Sequence, residues 1–251
     1  MKLLLIDAGN TRIKWKWQAG GALSDGGVVV HRGVEPHDWL AALPQAATAP
    51  ASIWISNVAG AAVEQALGDW ALERHGLSPR FVQAAAAACG ITNSYAHPET
   101  LGVDRWLGMV GAWKRTQGAL LVVAAGTAFT VDVVDATGHH RGGWIVPGYD
   151  LMVDALLGRT AGIAGAVARA PAQSLGAFGC NSAAAVELGA CHALAAAVER
   201  AYDRLAADVG IAPKLFLGGG DAARIAPLLG VPAALESDLV LEGLAIFAME
   251  A

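Results

Sequence analysis

The segment Asp7-Ala8-Gly9-Asn10-Thr11-Arg12 lies between two apolar runs, and its residue types suit the holding of phosphate. A tight turn carrying Gly and Thr aims backbone N–H groups and a hydroxyl at one spot. Gly lets the backbone approach closely, and N–H dipoles favour negative charge. Asp7, just before the turn, could hold Mg2+ through water, since that ion prefers hard oxygen ligands. The same residues are also ordinary turn chemistry, because Asp and Asn side chains close turns on their own backbone. A second turn, Ala125-Gly126-Thr127, shifts the weight toward phosphate. From Leu3 the chain reads LLLIDAGNTRIKW and from Leu120 it reads LLVVAAGTAFTVD, offset by 117 residues. Each is a strand, a Gly turn with a Thr, and a returning strand. Two such turns could grip a triphosphate from both sides.

Other nucleotide motifs are missing or incomplete. No Lys follows a Gly-rich loop, which excludes a Walker A sequence, and there is no G-x-S-x-G elbow. Gly218-Gly219-Gly220-Asp221-Ala222-Ala223 fits a loose G-x-G-x-x-A pattern, but only 28 residues follow it, too few for a Rossmann domain. It suits a contact with an adenosine or a plain loop.

The elements that must carry these turns repeat in each half. Apolar periodicity predicts strands over Lys2–Ile6, Arg12–Gln18, Val28–His31, Ser52–Ser56 and Arg80–Gln83. In the second of these, Arg12, Lys14 and Lys16 alternate outward against Ile13, Trp15 and Trp17. Helices are predicted over Asp38–Leu43, Ala61–His75 (carrying Val63, Leu67 and Leu72) and Asp104–Arg115, with a loop from Cys89 to Gly102. The second half gives strands over Ala119–Ala124, Phe129–Val134, Gly142–Val146 and Lys214–Leu217, and helices over Tyr149–Leu157, Ser182–Val209 and from Asp238 onward. A repeat opening each half implies a duplication with two lobes facing a cleft, divided as 1–117 and 118–251.

Composition narrows the function classes. The 251 residues are 55% apolar and 16% charged, which excludes intrinsic disorder, and the net charge of −5 speaks against nucleic acid as a partner. The longest apolar stretch, Ala119 to Val131, falls short of the roughly 18 residues of a spanning helix, and Asp7 interrupts any signal-peptide core. A cytoplasmic protein without membrane contact is expected. Cys89, Cys180 and Cys191 lack C-x-x-C spacing, which suits a reducing compartment. His139-His140 reads as a solvated turn rather than a metal site.

Five ordered segments together resemble the type III pantothenate kinase family: Asp7 to Thr11, Leu101-Gly102-Val103-Asp104-Arg105, Gly126 to Asp132, Gly142 to Gly148, and Leu239-Val240-Leu241-Glu242-Gly243-Leu244. The resemblance implies an α/β fold of duplicated ribonuclease-H-like (actin/hexokinase-like) halves, each a mixed five-stranded sheet with flanking helices. It implies ATP-dependent phosphorylation of pantothenate to 4'-phosphopantothenate in coenzyme A synthesis, in a homodimer, with Mg2+ and a monovalent cation (K+ or NH4+). By resemblance Asp7, Ala8, Gly9, Asn10, Thr11, Arg12, Gly126 and Thr127 would bind ATP, and Asp7 would hold the Mg2+ through water. Asp104 would be the general base, with Tyr95, Gly102, Val103, Arg105 and Ser182 on the substrate.

Residue types alone favour Asp104 as a helix N-cap with Arg105 solvated, and the resemblance reverses that preference. For Tyr95 and Ser182 the residues also allow loop packing and a helix cap. One departure stands out: where the family has an Asp tied to the monovalent cation, this chain has Ala124, which puts cation dependence in question. A lesser one is Gly218, where the family often has Thr. The alternatives are a non-catalytic or moonlighting transcriptional accessory factor on the same fold, or a kinase for another small hydroxyl substrate.

Overall fold

The computed structural model describes residues 2–45, 49–159 and 178–250. In chain order the elements are β1 (Lys2–Ala8), β2 (Arg12–Ala19), β3 (Ala22–Val30), α1 (Pro36–Ala41), β4 (Ser52–Asn57), α2 (Ala61–His75), β5 (Arg80–Phe81), the short pair β6 (Ala87–Ala88) and β7 (Ile91–Thr92), and α3 (Val103–Thr116). They continue with β8 (Leu120–Ala125), β9 (Ala128–Val134), β10 (His140–Pro147), α4 (Tyr149–Arg159), α5 (Ser182–Val209), β11 (Lys214–Gly218), α6 (Ala222–Ile225), β12 (Ala234–Leu235) and α7 (Leu239–Glu250).

Two compact units result. One holds the chain through Arg115 together with the stretch from Asp238 onward, and the other is Thr116–Ser237. The first has a five-stranded sheet in the order β3-β2-β1-β4-β5, the second a sheet in the order β10-β9-β8-β11-β12. In both, the first three strands run antiparallel and the last two pairings are parallel. The repeat seen at the two turns therefore extends through each sheet, and the fold is the duplicated ribonuclease-H-like α/β class. The expected division at 117/118 needs a correction for α7, which packs on β1, β2 and β4 of the first unit.

In the first unit, Leu4, Ile6 and Ala8 of β1, Ile13 of β2 and Ile53 and Ile55 of β4 form a core with Trp39, Leu67 and Trp70. Each such fully buried aliphatic side chain contributes about 1.5–3 kcal/mol. The apolar face of α2 differs from expectation: Leu67, Trp70 and Ala71 are buried, and Leu72 is exposed. Lys16 is not a solvated outward residue either, because its ammonium meets Asp238 at 2.6 Å just before α7. In the second unit, Leu121, Val123, Phe129 and Val131 pack against Leu194, Val198 and Leu205 of α5.

β3 begins at Ala22, well before the expected Val28. Its polar run Ser24-Asp25-Gly26-Gly27 hides the strand signal, and pairing with β2 makes it a strand nonetheless. The glycines are required by space: a Cβ on Gly27 would lie 2.2 Å from the Trp15 ring. His140 also departs from expectation. Only His139 is exposed, while His140 is fully buried, its Nε2 3.1 Å from the buried Asp132 carboxylate.

Candidate active site

In the first unit β1 carries its buried run Leu3–Ile6 to the end of the sheet, where Asp7 is partly exposed and the chain turns through Gly9, Asn10 and Thr11 into Arg12 of β2. The turn closes with the Gly9 N–H donating to the Arg12 carbonyl at 3.1 Å. On the neighbouring parallel strand Ser56 stands in register with Asp7, and its hydroxyl donates to Asp7 Oδ1 at 3.1 Å. Burial of the carboxyl first, and the negative Asp104 second, raise Asp7 from its ordinary 3.8 to about 7, against the lowering by the Ser56 hydroxyl and Lys14. A carboxylate held in that environment gains from a cation beside it.

This has a consequence for stability. In the unfolded chain Asp7 ionises near 3.8, whereas in the folded chain it holds its proton to about pH 7. Between those values the folded state binds more protons, so stability falls as pH rises through the window and levels off above it. Asp7→Asn removes the penalty. We expect the variant to match the wild type at about pH 4 and to exceed it by about 1–3 kcal/mol at about pH 8, as read by denaturant unfolding without nucleotide. Equal stability differences at both pH values would show that Asp7 is not held protonated.

Asp104 and Arg105 open α3, with Val103, Trp106, Leu107, Met109 and Val110 buried beneath them. Asp104 Oδ1 accepts the Arg105 N–H at 2.8 Å, so the carboxylate does satisfy an amide of the first turn, as a cap would. The expectation of a solvated Arg105 is corrected, however. The side chain is 8% exposed, and its guanidinium donates to the Tyr95 hydroxyl at 3.2 Å. Gly102 leaves room for the carboxylate, because a Cβ there would lie 2.8 Å from Asp104 Oδ1. Asn93 fixes the approach loop: its amide donates to the carbonyls of Ala85 and Pro98, and its oxygen accepts the Tyr95 N–H at 3.0 Å. The first unit thus brings Asp7, the Gly9–Arg12 turn, Tyr95 and Gly102–Arg105 together in one body.

The second turn is built separately in the other unit. Gly126 and Thr127 link β8 to β9, and the Gly148 N–H donates to the Thr127 carbonyl at 3.0 Å. Gly148 must be glycine, since a Cβ would sit 1.9 Å from the Gly126 carbonyl oxygen. A Cβ on Gly219 would lie 2.3 Å from the Ala125 carbonyl oxygen, and the Asp221 N–H donates to that carbonyl at 3.1 Å. Ala124, at the position matching Asp7, is exposed and lies in register with Gly218, so neither strand end offers a side-chain oxygen there. Ser182 is exposed at the first position of α5, and the cap of that helix is Asn181, whose side chain accepts the Ala184 N–H at 2.9 Å. Ser182 belongs to the second unit, Tyr95 and Arg105 to the first. A groove of about 780 Å3 between β9, β10 and α5 contains none of the predicted residues.

Ser56, Asn93 and His31, whose ring Nε2 lies 2.7 Å from the Gly9 carbonyl oxygen of the turn, were not legible as site residues. Each is a polar residue supplied to the site by distant pairing or a loop, without a local motif. Among the described residues there is no group of three His, Cys, Asp or Glu that could hold a metal by itself.

The sequence profile of type III pantothenate kinase matches residues 3–204. The chain belongs to the type III pantothenate kinase family. A type III pantothenate kinase of Aromatoleum aromaticum is 41% identical over 99% of this chain and 98% of its own. Another, of Nitrosomonas eutropha, is 40% identical over 98% of this chain and 94% of its own. Among solved structures, a Campylobacter jejuni protein described as a Baf family transcriptional activator superposes with a TM-score of 0.60 at 20% identity, covering 98% of both chains, a likeness of fold alone.

Proposed function

We propose that the protein transfers the γ-phosphoryl group of ATP to the primary hydroxyl of pantothenate, giving 4'-phosphopantothenate and ADP at the entry to coenzyme A synthesis. The observation that carries the reading at this site is the pairing of the Asp7 turn with Asp104 and the buried Arg105 in one unit. In this reading the amides and hydroxyl of Asp7–Arg12 hold phosphate oxygens, and Gly126-Thr127 is a further ATP-binding turn. Asp104 accepts the hydroxyl proton as the oxygen attacks phosphorus, and the bridging oxygen leaves with ADP. Arg105 faces the substrate carboxylate, for which a planar guanidinium is suited, and Tyr95 orients it through the hydrogen bond at 3.2 Å. Val103 and Gly102 shape the same wall, and Ser182 is a further substrate contact in this reading. Asp7 would hold Mg2+ through water, and the ion would supply positive charge to offset that of the phosphates.

We also assign this chain independence from monovalent cations. Ala124 and Gly218 offer no carboxylate or hydroxyl at the second turn. The deciding assay is ADP release with and without pantothenate, in K+, NH4+ or Na+. We expect pantothenate-dependent release that differs by less than about twofold among the cations. Absence of stimulation under every condition would defeat the substrate assignment, and strong activation by K+ would defeat the cation assignment alone. Assembly as a homodimer and a cytoplasmic location belong to the same reading and rest on the family. Among the described residues no helix is long and apolar enough to cross a membrane.

A further inference from the structure

His31 directly follows β3 and is 8% exposed. Its ring Nε2 lies 2.7 Å from the Gly9 carbonyl oxygen. A carbonyl only accepts, so this nitrogen carries the hydrogen. The backbone N–H groups of His31 and Arg32 donate to the Thr11 carbonyl at 3.1 and 3.5 Å. One residue therefore holds both carbonyls that flank Asn10. The imidazole is itself fixed by an edge-on contact with Trp39, centroids 6.0 Å apart, and Trp39 is buried under α1.

The geometry of the peptide group gives this arrangement a consequence. In a trans peptide the C=O of one residue and the N–H of the next point in opposite directions. With the Gly9 carbonyl drawn to His31, the Asn10 N–H is turned away from it, at a residue that is exposed. Among the described residues that N–H makes no hydrogen bond, whereas the Gly9 N–H is already used by Arg12. The same contact keeps the negative end of the Gly9 carbonyl from an incoming anion. We propose that His31 is a positioning residue for nucleotide binding, which holds the Gly9–Asn10 peptide so that the Asn10 N–H meets a phosphate oxygen. The proposal rests on the reading of Asp7–Arg12 as the phosphate turn.

Two variants and one measurement on the wild type test it. His31→Phe keeps an aromatic ring against Trp39 and loses the donor, and His31→Gln keeps an N–H of similar reach. We expect His31→Phe to weaken binding of the Mg2+ complex of the ATP analogue AMPPNP by about tenfold and to raise the KM for ATP alike. The KM for pantothenate should stay near wild type, and His31→Gln should recover most of the affinity. In the wild type, inorganic tripolyphosphate should move the Asn10 amide resonance downfield, which keeps the proposal testable even if His31→Phe does not fold. Unchanged AMPPNP affinity in His31→Phe, a joint rise of both KM values, no recovery in His31→Gln, or an unmoved Asn10 amide would each overturn it. Loss of the pantothenate assignment would look different: nucleotide binding would still depend on His31, without pantothenate-dependent turnover.

Discussion

Replacing Asp104 by Asn is expected to lower kcat for pantothenate by about 10²–10⁴, the usual worth of a positioned general base, with little change in stability. Asn is nearly isosteric, and its side-chain oxygen can still accept the Arg105 N–H that Asp104 accepts at 2.8 Å. It cannot take up the proton of the attacking hydroxyl. The KM for ATP should change little, because the phosphate turn is a separate element. Removing one of two mutually repelling carboxylates should also lower the proton affinity of Asp7, which Asp104 raises. The measurements are steady-state kinetics and a denaturation curve for the same preparation. A variant with wild-type kcat would leave Asp104 the role that residue types alone suggest, a group that satisfies the helix start. A variant that loses activity only by unfolding would say the same.

The site was legible where its chemistry is local in sequence. Asp7 to Thr11 and Gly126-Thr127 stand out because the same strand, Gly-Thr turn and returning strand recur 117 residues on, which also points to the duplication. Both sheets then repeat one strand order, which the structure and not the sequence supplies. What was not legible depends on pairing across the fold. Ser56 reaches Asp7 only because β4 lies parallel to β1, a register that no local pattern encodes. His31 closes on Gly9 across 22 residues, and its surroundings look like the end of any strand. His140 was misread because its turn is Gly-rich, while its partner Asp132 comes from the adjacent strand. β12 and α6 span two and four residues, too short for periodicity to register. Arg105 is a different case: its motif was seen, but not its burial or its bond to Tyr95, which sits on the loop that Asn93 ties down.

The largest stability effect should come from a residue remote from phosphate. Gly243→Ala is expected to destabilise the protein by about 3 kcal/mol or more, because α7 and α3 touch backbone to backbone. A Cβ on Gly243 would lie 1.9 Å from the Leu107 carbonyl oxygen, and one on Gly111 would lie 2.4 Å from the Leu239 carbonyl oxygen. Neither obstacle is a flexible side-chain end, so the helices must separate. Their other ties then stretch: the Arg115–Glu242 ion pair between the helices and the Lys16–Asp238 pair at the start of α7. α3 carries Asp104 and Arg105 on its first turn, so the same separation should lower kcat even where the variant is still folded. This gives the Glu-Gly pair of the closing segment a physical reason: Glu242 reaches Arg115, and Gly243 lets the backbones meet. Gly68→Ala in α2 is the control, since nothing lies within 4 Å of its added Cβ, and it should stabilise by about 0.5–1 kcal/mol. Urea unfolding of both variants decides the matter. If Gly243→Ala unfolds no earlier than Gly68→Ala, the close crossing of α3 and α7 does not hold α3 in place.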